Sequence, residues 1–255
     1  MLIDTHTHLY LPEFHEEMES YIDRCKKQNI SKLYLPNIDS SSIEDVHKLA
    51  DNYPGYCIPM MGLHPCYVKE DYADQLKIIE NNLEKRKYAA VGEIGIDLHW
   101  DKSFKKHQID AFRRQINMAK TYKIPIVIHS REAQDLTIEI VKEMKDQNLT
   151  GIFHCFSGSI EQAQEIMAIG DFYMGIGGVL TYKNSGLDKV VAGIPLSHLV
   201  LETDAPYLTP TPHRGKKNES SYITYVAEKL ALVKKMTVEE IGRVTSENAA
   251  KVFQD

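Results

Sequence analysis

The feature that most restricts how this chain can fold is a rhythm. Short β-branched or apolar runs recur at residues 2–6, 33–38, 56–62, 89–96, 124–129, 151–156, 172–180 and 199–202. Most are separated by stretches of helical periodicity. Phe112, Ile116 and Ala119 recur at helical spacing between residues 110 and 122, while Arg113, Arg114 and Lys120 take the opposite face. Leu136, Ile140, Val141 and Met144 repeat the pattern after the fifth run. Thr237 with Glu240 three residues later predicts a capping box that opens a helix. Only the glycine-rich 175–186, GIGGVLTYKNSG, fits the rhythm poorly. Strands alternating with helices build parallel βαβ units. The count of eight favours an α/β fold of the (β/α)8 TIM-barrel type over an open doubly wound sheet. With 255 residues, 43% apolar composition and no low-complexity linker, a single domain over residues 1–255 is expected.

Polar residues stand where the apolar runs end, along the whole chain, and only a closed ring brings the first and eighth ends together easily. The first run ends in Asp4, His6 and His8, at strand spacing on one face. The third run ends in GLHP, with His64. The fourth, AVGEIGID, carries Glu93 and Asp97; a carboxylate inside an apolar run is costly unless it finds a partner. The fifth ends in His129 and Arg131, the sixth in His154, and the eighth in Glu202 and Asp204. A lone histidine at a strand end is more often structural than a ligand, and a lone aspartate before Ala-Pro can simply shape a turn. Their joint occurrence at one face of one barrel, the face that carries active sites in this architecture, is not explained that way. Four imidazoles and two carboxylates suffice for two divalent ions with a bridging carboxylate, which predicts a metal site at the C-terminal ends of the strands.

The net charge of −6 lacks the basic field of nonspecific nucleic-acid binders, although bound cations supply positive charge locally. The four cysteines, Cys25, Cys57, Cys66 and Cys155, form no C-x-x-C pair and read as reduced thiols. No basic-then-apolar leader and no run of about 18 apolar residues is visible, so a cytoplasmic protein without a membrane span is expected. No obligate protein partner is inferred.

DTHTHL, GLHP, GEIGID, IHSR, FHCFSG and ETDAPYLTP, running in order from residue 4 to about residue 219, together resemble the TatD family of metal-dependent hydrolases within the amidohydrolase-like barrels. The resemblance implies a TIM barrel and a metal-dependent deoxyribonuclease of 3′-to-5′ exonuclease type, with DNA as substrate. It implies that His6, His8, Glu93 and Asp204 surround one ion and Glu93, His129 and His154 the second, with Glu93 as bridge. His64 matches a family histidine near the metals that contacts substrate. Arg131, Arg214, Lys216 and Lys217 resemble phosphate-facing positions, for which a solvated basic turn is the alternative. The chain departs from the family pattern at Leu98-His99-Trp100, where two tyrosines are common, and at Ser220, where proline often stands.

In the expected mechanism the ions activate a shared water and neutralise charge on the phosphoryl oxygens, and Asp204 accepts the water proton. Glu93 and Asp204 are therefore the catalytic candidates. Asp4 and Glu202 are expected behind the ligands, fixing imidazole tautomers or holding ligands in place. Four imidazoles favour Zn²⁺, whereas the resemblance implies activity with Mg²⁺ or Mn²⁺. Two other functions fit the same residues: hydrolysis of acyl bonds, as in D-aminoacyl-tRNA deacylation, and a non-catalytic metal-binding barrel.

Overall fold

The computed structural model describes residues 1–254, and among these eight strands alternate with helices in the order the rhythm predicts. The elements are β1 (Leu2–Asp4), α1 (Met18–Lys27), β2 (Ile30–Leu35), α2 (Ile43–Asn52), β3 (Cys57–Pro59), α3 (Tyr72–Lys85), β4 (Val91–Asp97), α4 (Lys105–Tyr122) and β5 (Ile126–Arg131). They continue with α5 (Gln134–Met144), β6 (Gly151–Phe153), α6 (Ile160–Ile169), β7 (Phe172–Ile176), α7 (Leu187–Ala192), β8 (Leu199–Leu201), α8 (Ile223–Lys234) and α9 (Val238–Phe253). All strand pairs are parallel, in two sheets ordered β1-β2-β3 and β4-β5-β6-β7-β8. The sheet edges meet at two seams. A parallel bridge joins Met61 to Val91, with Ala89 N–H donating to Pro59 O at 3.0 Å, and Thr5 N–H donates to Leu201 O at 3.0 Å.

The apolar residues explain this arrangement. One cluster takes a residue from each strand or its flank: Ile3, Tyr34, Met60, Ala90, Val127, Ile152, Tyr173 and Val200. Ala249, Val252 and Phe253 of α9 pack beneath it, with Phe253 stacked on Tyr34 at 3.8 Å between ring centroids. These residues make a floor at the N-terminal ends of the strands. A larger cluster fills the space between the strands and the surrounding helices, with Phe112 and Ile116 of α4 contributing the periodic face read from the sequence.

Several boundaries shift for local reasons. The helix expected from residue 110 begins at Lys105. The seventh run stops at Ile176, and Gly178–Thr181 turns into a 3-10 helix. A Cβ on Gly178 would lie 1.9 Å from Leu208 O, so only glycine allows the β8 loop to approach there. Thr237 does cap α9 by accepting from Glu240 N–H at 3.1 Å, whereas the reciprocal capping box forms at Ser159 and Gln162 of α6. All four cysteines are free thiols, and no helix among the described residues is long and apolar enough to cross a membrane.

Candidate metal centre

Strand alternation carries the floor directly into the site. Val127, Ile152, Tyr173 and Val200 face the floor, and the residues two positions on are His129, His154, Gly175 and Glu202. Glu93 enters from the middle of β4, every residue of which is buried. His6 and His8 lie just beyond β1, which ends at Asp4, with their rings 5.1 Å apart. Asp204 follows β8 in a left-handed conformation (φ 57°), and its N–H donates to His6 O at 2.9 Å. That bond ties the first and last strand ends together.

Glu93 is 2% exposed and stands at the centre. Its Oε2 lies 3.1 Å from His6 Nε2 and 3.6 Å from His8 Nε2. Its Oε1 lies 2.8 Å from His129 Nδ1, 3.3 Å from His154 Nε2 and 3.4 Å from His64 Nε2. Asp204 Oδ1 completes the first group, 3.5 Å from His8 Nε2 and 3.8 Å from His6 Nε2. The six expected ligands therefore converge, one carboxylate oxygen of Glu93 toward each half. His64, expected to touch substrate, stands within ligand reach as well: its donor atoms group with those of Glu93 and His129, while His6 and His8 group with Glu93 and His6 and His154 with Glu202.

This donor set fits divalent cations. Among the described residues the ion-pair partners of Glu93 are all imidazoles, so no fixed lysine or arginine charge compensates it. Nε2 of His6, His8 and His154 and Nδ1 of His129 all face the Glu93 carboxylate, a set of nitrogen donors around a shared oxygen pair that suits divalent cations, and His6 Nδ1 and Glu202 Oε2 behind them are buried without hydrogen-bond partners. The protonation balance has the same origin. Burial alone would raise Glu93, but His64, His154, His6 and the bond to His129 hold it well below the usual carboxylate range. Burial would likewise lower His154, yet Glu202 and Glu93 push it well above an ordinary imidazole. His6 and His64 are lowered, chiefly by burial.

Behind the ligands stand residues that orient them. Tyr10 Oη donates to Pro36 O at 2.7 Å, so it must accept from His8 Nδ1–H at 2.9 Å. His8 Nε2 then keeps its lone pair on the side of Glu93 and Asp204. Asp97 Oδ2 lies 2.9 Å from His129 Nε2, leaving Nδ1 toward Glu93. Glu202 Oε1 lies 3.2 Å from His154 Nδ1 and accepts Cys155 N–H at 2.6 Å. A Cβ at residue 175 would stand 2.1 Å from Glu202 Oε2, so Gly175 makes room for this carboxylate. Asp4 touches no imidazole nitrogen. Its carboxylate accepts Thr203 N–H at 2.9 Å and Thr203 Oγ1–H at 2.6 Å, holding the turn before Asp204, and burial pushes it up to about 7 against these bonds. Asn218 Nδ2 donates to Thr203 O (2.8 Å) and Tyr207 O (2.6 Å), bracing the same turn. Tyr10 and Asn218 had no sequence signal, whereas Asp97 was visible at its strand end without a role.

The basic candidates separate. Arg131 lies 5.2 Å from the ring of Trp100, which is 71% exposed, at a cavity of about 540 Å³ lined by Ser130, Gln134 and Ser157. Arg214 stacks on Tyr182 at 3.8 Å beside a cavity of about 570 Å³ that also meets Asn184 and Thr211. Lys216 is exposed. Lys217 is committed elsewhere: its Nζ donates to Glu13 O at 2.6 Å and sits over Phe14 and Tyr21, which removes it from the phosphate-facing set. Ser220 donates to Thr7 Oγ1 at 3.0 Å, a bond that proline could not make.

Residues 3–254 match the family model described as "TatD related DNase". The chain is 40% identical over 255 residues to the uncharacterized metal-dependent hydrolase YabD of Bacillus subtilis, covering 100% of this chain and 99% of that one. It is 32% identical to the uncharacterized metal-dependent hydrolase YjjV of Escherichia coli, covering 98% and 97%. The crystal structure of YjjV, described as a TatD homolog, superposes with a TM-score of 0.94 at 31% identity over 100% of this chain and 98% of that one. The phosphotriesterase homology protein of E. coli shares the fold at 12% identity, with a TM-score of 0.74 over 99% and 98%.

Proposed function

The chain belongs to the TatD family of metal-dependent hydrolases, and on that premise we propose that it is a deoxyribonuclease that removes nucleotides from the 3′ end of DNA. The observation that carries the reading is the split carboxylate of Glu93, with Oε2 toward His6 and His8 and Oε1 toward His129 and His154. His6, His8, Glu93 and Asp204 would hold one divalent ion and Glu93, His129 and His154 a second, as Mg²⁺, Mn²⁺ or Zn²⁺. Bound there, the ions supply Lewis acidity for a water and for the phosphoryl oxygens. Asp204, at the mouth of the site, would accept the proton that the attacking water gives up as the bond between phosphorus and the 3′-oxygen of the shortened strand breaks, and that oxygen takes a proton from solvent. Arg131, Arg214 and Lys216 hold backbone phosphates. Trp100 and Tyr182, each with an arginine on its face, offer stacking surfaces for unpaired bases. The two seams support reading the strands as a single (β/α)8 barrel domain, and the free thiols suit a reducing cytoplasm.

The test is a time course on 3′-labelled and 5′-labelled single-stranded DNA, with Mg²⁺, Mn²⁺ or Zn²⁺ added to metal-stripped protein, beside a panel of amides, lactones and aminoacyl esters. Release of mononucleotides from the 3′ end, abolished by chelation, is expected. Turnover confined to the acyl panel would replace this reading with acyl hydrolysis, and no turnover with any ion would leave a metal-binding barrel.

A further inference from the structure

Of the 14 tyrosines, 7 phenylalanines and one tryptophan in the chain, all but three are buried or half-buried. The exceptions are Tyr67, Trp100 and Tyr207, at 47%, 71% and 52% exposure, and they lie in the loops that follow β3, β4 and β8. Exposed aromatic surface confined to the rim of a site points to contact with a ligand rather than to packing. Trp100 is already paired with Arg131; the two tyrosines have no role in the reading so far.

One device delivers both of them to the metal centre. Tyr67 N–H donates to His64 O at 2.9 Å and Tyr207 N–H donates to Asp204 O at 2.8 Å, so each stands three residues beyond a site residue on a hydrogen-bonded turn. The Tyr67 ring lies 6.1 Å from that of His64, and the Tyr207 ring 6.1 Å from that of His8, both in T-shaped contact. Those two imidazoles approach different oxygens of Glu93, at 3.4 and 3.6 Å. The tyrosines therefore flank the centre from two sides. Burial and then Asp204, Glu13, Tyr67 and Glu93 push the Tyr207 phenol up, so both phenols and the central carboxylate sense one another across one opening. Neither hydroxyl makes a hydrogen bond with the described residues. The backbone of each tyrosine is held while its ring stays uncommitted, which lowers the ordering cost of gripping a flat partner.

We infer that Tyr67 and Tyr207 form a clamp for a planar ring, which on the proposed substrate is the base of the nucleotide being removed, held while its 5′-phosphate lies at Glu93. That the ring is a nucleobase rests on the function proposed above; that the clamp takes a planar ring does not. Stacking uses the face of the ring and no hydrogen-bond pattern, so all four bases are accepted.

Binding and turnover test the clamp separately. Calorimetric titration of the metal-loaded protein should show deoxyadenosine 5′-monophosphate bound roughly 30-fold more tightly than deoxyribose 5-phosphate. Tyr67→Leu and Tyr207→Leu keep bulk but remove the aromatic face, and each should lower that ratio about fivefold. Tyr67→Phe and Tyr207→Phe should preserve it. On 3′-labelled single-stranded DNA the leucine variants should raise KM about fivefold with little change in kcat, and the advantage of a base-bearing 3′ end over an abasic one should shrink equally. A merely structural defect would weaken both ligands and both substrates alike, leaving the ratios unchanged. Unchanged ratios in both leucine variants, or equal binding of the two ligands by the wild type, would overturn the clamp. If one variant fails to fold, the variant at the other position and the wild-type ratio decide. A wild type that leaves DNA intact, yet prefers the base-bearing ligand and loses that preference in the leucine variants, keeps the clamp and removes only the deoxyribonuclease reading.

Discussion

At the floor of the strands, Val127, Ile152, Tyr173 and Val200 pack on one another and on Phe253 of α9; two residues further along, His129, His154, Gly175 and Glu202 surround Glu93. The first layer gains free energy from burial, roughly 2 kcal/mol for each fully buried aliphatic side chain. The second buries carboxylates and imidazoles whose desolvation opposes folding unless partners are supplied. The same backbone positions both, so the difference lies in side-chain chemistry alone. Stability is concentrated where no chemistry happens, which leaves the upper layer free to hold groups that the metal-free protein satisfies poorly.

This contrast can be broken from either side. Glu93→Ala should have the largest effect, lowering turnover by on the order of 10³-fold or more because it removes the carboxylate shared by both ion groups. Its unfolding midpoint in the metal-free state should move less than that of any large floor truncation; a larger shift would show that Glu93 is structural. Phe253→Ala attacks the floor. Chemical denaturation should report a loss of about 3–5 kcal/mol, with ion content unchanged under native conditions. Gly175→Ala crosses from one layer to the other, since the added methyl displaces Glu202 from His154. Calorimetric titration should show ion affinity falling about 10–100-fold. Tyr10→Phe should be mildest, weakening ion binding about tenfold by releasing the His8 tautomer while leaving the fold intact. Undiminished affinity there would mean that the hydroxyl does not govern the ring.

The sequence made some of this visible and hid the rest for definable reasons. His6, His8, Glu93, His129, His154 and Asp204 could be picked out because each interrupts or ends an apolar run, a local pattern. Helix periodicity on α4 was equally local. By contrast, the role of Asp97 depends on the β4–β5 register, which sets Gly95 opposite His129 and leaves Asp97 just beyond. Tyr10 acquires its role through Pro36, 26 residues away, and Asn218 through Thr203. Lys217 looked like part of a basic turn until the fold laid it over Phe14 and Tyr21. The end of β7 was obscured because two consecutive glycines carry no side-chain pattern, although the missing side chain of Gly178 is what lets Leu208 approach. Contacts between distant segments, not propensity, decided each of these.

The placement of α9 under the strands bears on how the protein is made. Ala249, Val252 and Phe253 follow every strand in the chain, and β1 finds its partner on one edge only when Leu201 has been synthesised. A nascent polypeptide leaving the ribosome would therefore expose an unplugged apolar ring and an unpaired strand edge until α9 has been made, the condition in which association with other chains competes with folding.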